Sequence, residues 1–143
     1  MKHITALALF IAACFVTAGK AIAQDYAVKA TIPFNFTANG RTLPAGNYTL
    51  GSDITSPSIL KIRDQSQHVH LMVMTMPGAN EREKANVLVF HKYGNQYFLS
   101  EIRSEASAIN VQLATSKQEK RAKAETEQAG LRVNDNVMIA LNN

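Results

Sequence analysis

Cysteine occurs once in this chain, at Cys14, and after Val16 no run of about 18 consecutive apolar residues follows. The first scarcity excludes a disulfide framework. It excludes thiol catalysis too if residue 14 leaves with a leader. The second means that no membrane-spanning helix is expected. Also missing are a G-x-G-x-x-G loop, a phosphate-binding loop and βαβ alternation, so no cofactor is expected. Charges of one sign never accumulate into a block, and only 7% of the residues are aromatic. Without a basic stripe or a stacking platform, nucleic acid is not an expected partner.

What is present first suggests a compartment. Lys2 and His3 precede an apolar run from Ile4 to Val16, and Ala21-Ile22-Ala23 offers a small-x-small cleavage signal before Gln24. This is the layout of a secretory signal peptide over residues 1–23, with an apolar part too short for a stable anchor. A secreted or periplasmic protein is therefore expected. The alternative takes Ile11-Ala12-Ala13-Cys14 as a lipobox and Cys14 as the lipid-anchored first residue. Phe15 and Val16 prolong the apolar run where a polar tether belongs, which disfavours that reading. Cleavage after Ala23 removes Lys2 and Lys20 from the 15 Lys and Arg and none of the 11 Asp and Glu. The basic balance is thus partly a property of the leader. Residues 24–143 amount to a single domain that can bury a core without cross-links.

Along that domain the hydrophobic period is two. Tyr26, Val28, Ala30, Ile32, Phe34 and Phe36 alternate with Lys29, Thr31, Pro33 and Asn35, which predicts a strand over 26–36 with its even face inward. Pro33 donates no hydrogen bond and so points to an edge strand or a bulge. Asn39-Gly40 is type I′ turn chemistry, and Pro44-Ala45-Gly46 turns the chain again. Leu60 and Ile62 face inward between Lys61 and Arg63, and Asp64 to Gln67 form a turn. Asn86–Tyr93 and Gln96–Arg103 make a hairpin around Gly94-Asn95, of type II′, in which His91 faces Phe98 and Val89 faces Ser100. Ser116 with Glu119 is a capping box and Gly130 a stop signal, so a helix is predicted near 116–129. Its apolar residues are alanines alone, so a solvated, loosely docked helix is expected. Leu131, Val133, Val137, Ile139 and Leu141 read as a last strand. The fold class expected is mainly β, an antiparallel β-sandwich or small barrel with one polar C-terminal helix.

The segment "IPFNFTANGRTLPAGNYTL" (32–50) with "LVFHKYGNQYFLSEI" (88–102) resembles a group of small secreted bacterial β-proteins. In that group an IPF-x-F strand precedes LPAG-x-Y, and a YG-x-x-YFL hairpin follows. The resemblance spans most of residues 24–143 and implies a β fold and export. It supplies no catalytic residues. Prealbumin-like and immunoglobulin-like secreted modules use turns similar to LPAG-x-Y, so that element bears on fold rather than on function.

One stretch carries chemistry. In "HVHLMVMTMP" (68–77), His68, His70, Met72, Met74 and Met76 fall on one face of a strand, with Val69, Leu71, Val73 and Thr75 on the other. His-x-His is a metal-ligand spacing, and His91 is the remaining histidine after leader removal, so His68, His70 and His91 are the candidate ligands for copper or zinc. Against a single site, the row extends about 26 Å and cannot surround one ion. The favoured expectation is a core strand, buried on both faces, with His68 and His70 at a hydrated entrance. Glu101, Arg103 and Glu105 read as surface ion pairing rather than a catalytic pair. An exported, non-catalytic structural or binding module is expected, with an unknown protein, glycan or envelope component as partner. The alternative is a metal-binding protein.

Overall fold

Alternating apolar and polar residues produce strands through most of the described chain. The computed structural model describes residues 26–66, 68–78, 85–133 and 135–142. The expected leader, Cys14 and the residues up to Lys84 after the His/Met strand lie outside them. The described elements are β1 (Tyr26–Ile32), β2 (Phe36–Ala38), β3 (Arg41–Leu43), β4 (Gly46–Asp53), β5 (Ser56–Asp64), β6 (Val69–Pro77), β7 (Asn86–Tyr93), β8 (Gln96–Ser104), β9 (Ile109–Leu113), α1 (Lys117–Gln128) and β10 (Asp135–Ala140). The described residues are mainly β with one helix, as the periodicity predicts.

Neighbours pair in the order β1-β4-β5-β6-β9-β8-β2-β3, with β7 pairing both β8 and β10. Strand β6 is the pivot. Most of its length pairs with β5, from Arg63↔Val69 to Ile59↔Met74, and its end pairs with β9, from Thr75↔Leu113 to Pro77↔Val111. An isolated bridge, Lys29↔Asn142, then joins β1 to the residues just past β10.

The single strand predicted over 26–36 is interrupted. β1 stops at Ile32 and β2 begins at Phe36, with Pro33 between them. β1 lies at one end of the pairing order, where a residue without an N–H costs least. After the break the chain leaves β4 and meets β8 in parallel at Thr37↔Phe98. The face assignment survives the break: Val28, Ala30, Ile32 and Phe36 are buried and Phe34 is half-buried, while Tyr26 is exposed. Phe36 sits edge-to-face on Phe90 at 5.6 Å and on Tyr48 at 5.3 Å, inside a core that also holds Leu50, Leu60, Ile62, Leu88 and Ile102. Asn39 and Gly40 both have positive φ, 48° and 79°, as a type I′ turn requires.

The β7–β8 hairpin keeps the expected His91↔Phe98 pair, and Gly94 (φ 58°) takes the left-handed first position of a type II′ turn. Farther from the turn the register slips. Phe90 pairs with Leu99 but Val89 with Glu101, so Ser100 is the extra residue of a bulge and not the partner of Val89.

Helix α1 corrects the expectation of a loosely docked element. Ser116 Oγ accepts from the Glu119 N–H at 3.1 Å. At the other end, Gly130 N–H donates to Glu127 O and Leu131 N–H to Thr126 O, a Schellman closure with Gly130 left-handed. The helix buries Glu119, Ala122 and Thr126, a stripe that sequence hydrophobicity could not reveal because two of its three members are polar. Ala122 packs with Tyr93 and Phe98, and Val133 covers their edge. The last strand starts at Asp135 rather than at Leu131, which is exposed.

Candidate functional site

The expectation of a core strand over residues 68–77 holds for one face only. Val73 and Thr75 are buried and Leu71 half-buried, but Met72, Met74 and Met76 are 56%, 79% and 50% exposed. The inner face of β6 packs on the core. Nothing among the described residues covers the outer face. Methionine hydrophobicity suggested burial, whereas the strand's place in the sheet decides which face receives a cover. Directly across from this row, β5 offers Ile59 to Met74 and Lys61 to Met72, and β9 offers Gln112 to Met76. Ile59 is exposed as well, so four large apolar side chains form one solvent-facing strip.

At the start of β6 the strip meets a tight turn. Asp64 N–H donates to His68 O at 3.2 Å, and Asp64 Oδ1 accepts from the His68 N–H at 3.0 Å. The other carboxylate oxygen lies 3.0 Å from His70 Nε2 and 3.8 Å from His68 Nδ1. The hydrogen bond from His70 is the main reason that the Asp64 carboxyl is held below the usual carboxylate range; partial desolvation opposes it, and the His68 N–H and both imidazole charges reinforce it. Tyr48 lies across from Asp64 and donates its hydroxyl to Pro44 O at 2.7 Å. Burial, and then the negative Asp64, push its phenol pKa up. Its ring meets that of His70 edge-on at 6.3 Å.

The third expected metal ligand is elsewhere. His91 lies on β7, separated from β6 in the pairing order by β9 and β8, about 14 Å in the strand-to-strand direction. Its Nδ1 contacts the buried Glu119 Oε1 of α1 at 2.7 Å. His68 and His70 are therefore brought together, by Asp64, and His91 is not with them. No group of three or more His, Cys, Asp or Glu side chains among the described residues has the spacing to hold a metal ion. Sequence reasoning missed Asp64 as the hub. The signal was available, since a turn aspartate four residues before His68 can accept from its backbone.

Arg103 Nε and Nη2 both contact Glu101 Oε2, at 2.8 and 2.7 Å, which is the expected ion pair in a largely buried setting. A groove of about 380 Å³ runs beside β1 and β4, lined by Lys29, Asn47, Tyr48, Thr49, Gln65 and Asn142. Its polar rim is bonded to itself: Thr31 Oγ1 donates to Asn47 Oδ1 at 2.7 Å, and Asn142 Nδ2 donates to Thr31 Oγ1 at 3.1 Å. That rim can hydrogen-bond a ligand but holds no acid–base pair. Among the described residues no helix is long and apolar enough to cross a membrane. No protein-family model, curated protein or solved structure matches this chain.

Proposed function

We propose that this chain is an exported, non-catalytic binding module whose ligand-facing surface is the outer face of β5 and β6. One observation carries the reading: Ile59, Met72, Met74 and Met76 stand together in solvent on a strand pair whose opposite face is core. An apolar strip of this kind marks an interaction surface. Methionine suits one, because its flexible, polarizable side chain adapts to varied partners. The export half of the reading rests on the leader-like layout of residues 1–23 and on the resemblance of residues 32–50 and 88–102 to small secreted β-proteins. A protein, glycan or envelope component is the partner class.

The test is oxidation footprinting of the purified protein with dilute peroxide, read by mass spectrometry. An extract of the producing cell's envelope should slow sulfoxide formation at Met72, Met74 and Met76 while leaving the exposed Met138 of β10 unprotected. Equal rates at all four methionines with and without the extract would overturn the surface assignment.

A further inference from the structure

We infer that the groove beside β1 and β4 binds an acidic sugar, with its carboxylate between Lys29 and Arg63 and its hydroxyls along Thr31, Asn47 and Gln65. This site is separate from the methionine strip and does not rest on it. Strand register places its parts. The pairs Lys29↔Thr49 and Thr49↔Arg63 set three side chains in one row across β1, β4 and β5. The row lies on the face opposite the buried Val28, Leu50 and Ile62. Neighbouring strands are about 4.8 Å apart, so the two cations flank Thr49 with their backbones about 10 Å from each other. Their flexible stems can close on a group held above the Thr49 hydroxyl. Thr31↔Asn47 forms the next row of the same face, about 6.5–7 Å along the strands, and Gln65 extends it through a hydrogen bond with Asn47.

The groove wall carries no acid. Asp64, next to Arg63 in the chain, is engaged with His70 on the inner side. Among the described residues no carboxylate lies within ion-pair distance of the exposed Lys29 or the half-buried Arg63. An anion therefore meets two charges that nothing has neutralised, and a cation meets nothing to attract it. The second row is polarised. Asn142 Nδ2 donates to Thr31 Oγ1 at 3.1 Å, Thr31 Oγ1 to Asn47 Oδ1 at 2.7 Å, and Asn47 Nδ2 to Gln65 Oε1 at 3.5 Å. Donation in one direction leaves the Gln65 amide NH2 as a donor at one end and Asn142 Oδ1 as an acceptor at the other. A string of sugar hydroxyls, each both donor and acceptor, uses both ends, whereas a bare inorganic anion uses donors only. The volume of about 380 Å³ suits a small ligand. The Tyr48 ring is buried and offers no stacking platform, so charge and hydrogen bonds carry the affinity, which is modest.

Titration of the purified protein with digalacturonate, followed by amide NMR, tests the site. Saturable shifts should centre on Lys29, Asn47, Thr49 and Gln65, with a Kd below about 1 mM at low salt that rises as salt is added. Lys29→Gln and Arg63→Gln, which leave the core and the Thr31–Asn142 link intact, should each weaken binding by roughly fivefold or more. Gln65→Ala should weaken it by roughly threefold, through the lost amide donor. The uncharged disaccharide galactobiose should bind at least roughly tenfold more weakly than digalacturonate. A Kd above about 1 mM, or affinity unchanged in Lys29→Gln or equal for galactobiose, would overturn the proposal. Inorganic sulfate binding as tightly as digalacturonate would reduce the groove to a plain anion site and remove the sugar. Each of these failures would leave protection of the methionines by an envelope extract standing, since that reading concerns other side chains.

Discussion

Asp64 does two things at once: it closes the β5–β6 turn through the His68 N–H and holds His70 in one orientation. Its carboxyl lies below the ordinary value of 3.8, so in the folded chain it stays ionised at pH values where the unfolded chain takes up a proton. The stabilisation is therefore complete above that ordinary value and is lost as pH falls through the lower, folded one. Asp64→Asn should lower the urea midpoint relative to the parent at about pH 5, and the gap should be narrower at about pH 3, below the ordinary carboxyl value. A gap of equal size at both pH values would show that the ionised contact with His70 has no part in stability. At this scale, parity was the legible quantity. Val28, Ala30, Ile32, Leu60 and Ile62 were assignable to the inside from period two alone, and they are buried. Met72, Met74 and Met76 were not, because parity names a face without saying whether anything covers it.

Strands and turns were more readable than the contacts between elements. Asn39-Gly40, Gly94-Asn95, Ser116 with Glu119, and Gly130 all act locally, through positive φ or a cap within three residues, and each falls where local chemistry puts it. The bulge at Ser100 and the docking of α1 depend on partners far along the chain and left no local mark. Glu119 shows why. Helical spacing offers it to Lys123 at i+4, yet it turns inward, where His91 Nδ1 at 2.7 Å compensates its burial. Burial, with the charges of Glu119 and Glu127 adding, also raises the pKa of Tyr93 beside it. His91→Leu leaves that carboxylate without its partner and should cost about 1–3 kcal/mol, the usual range for a hydrogen bond to a charged group that is lost on one side. The loss should be concentrated in the helix. Hydrogen exchange of the amides from Lys120 to Gln128 should accelerate far more than that of Leu88 or Ile102 in the sheet. Uniform acceleration across helix and sheet would mean that α1 is not a separable unit and that His91 supports the core directly.

For the whole molecule, the decisive question is how the two ends of the strand path are tied. β1 ends the main pairing order and β10 ends the branch through β7, and the residues just past β10 bring them together. Leu141 packs against the main core and its N–H donates to Asn86 O at 3.0 Å. Asn142 N–H donates to Lys29 O at 2.7 Å, and Asn142 Nδ2 reaches Thr31 Oγ1. No sequence pattern announces such a link, since Leu141 reads as one more strand residue and Asn142 as a polar tail. Its energy can be estimated from its parts. A half-buried leucine contributes about 1 kcal/mol. Three hydrogen bonds, two of them near solvent, contribute about 0.5–1 kcal/mol each. Deleting residues 141–143 should therefore cost about 2.5–4 kcal/mol in urea unfolding, with the slope of the transition unchanged because the core itself remains. The cost should also be cooperative with β1. Thr31→Ala, which removes the hydroxyl that accepts from Asn142 and donates to Asn47, should be measurably destabilising in the full chain and less so after the deletion. Strictly additive effects of the two changes would mean that the ends touch without supporting each other. The fold would then rest on the β4–β5–β6–β9–β8–β7 path alone.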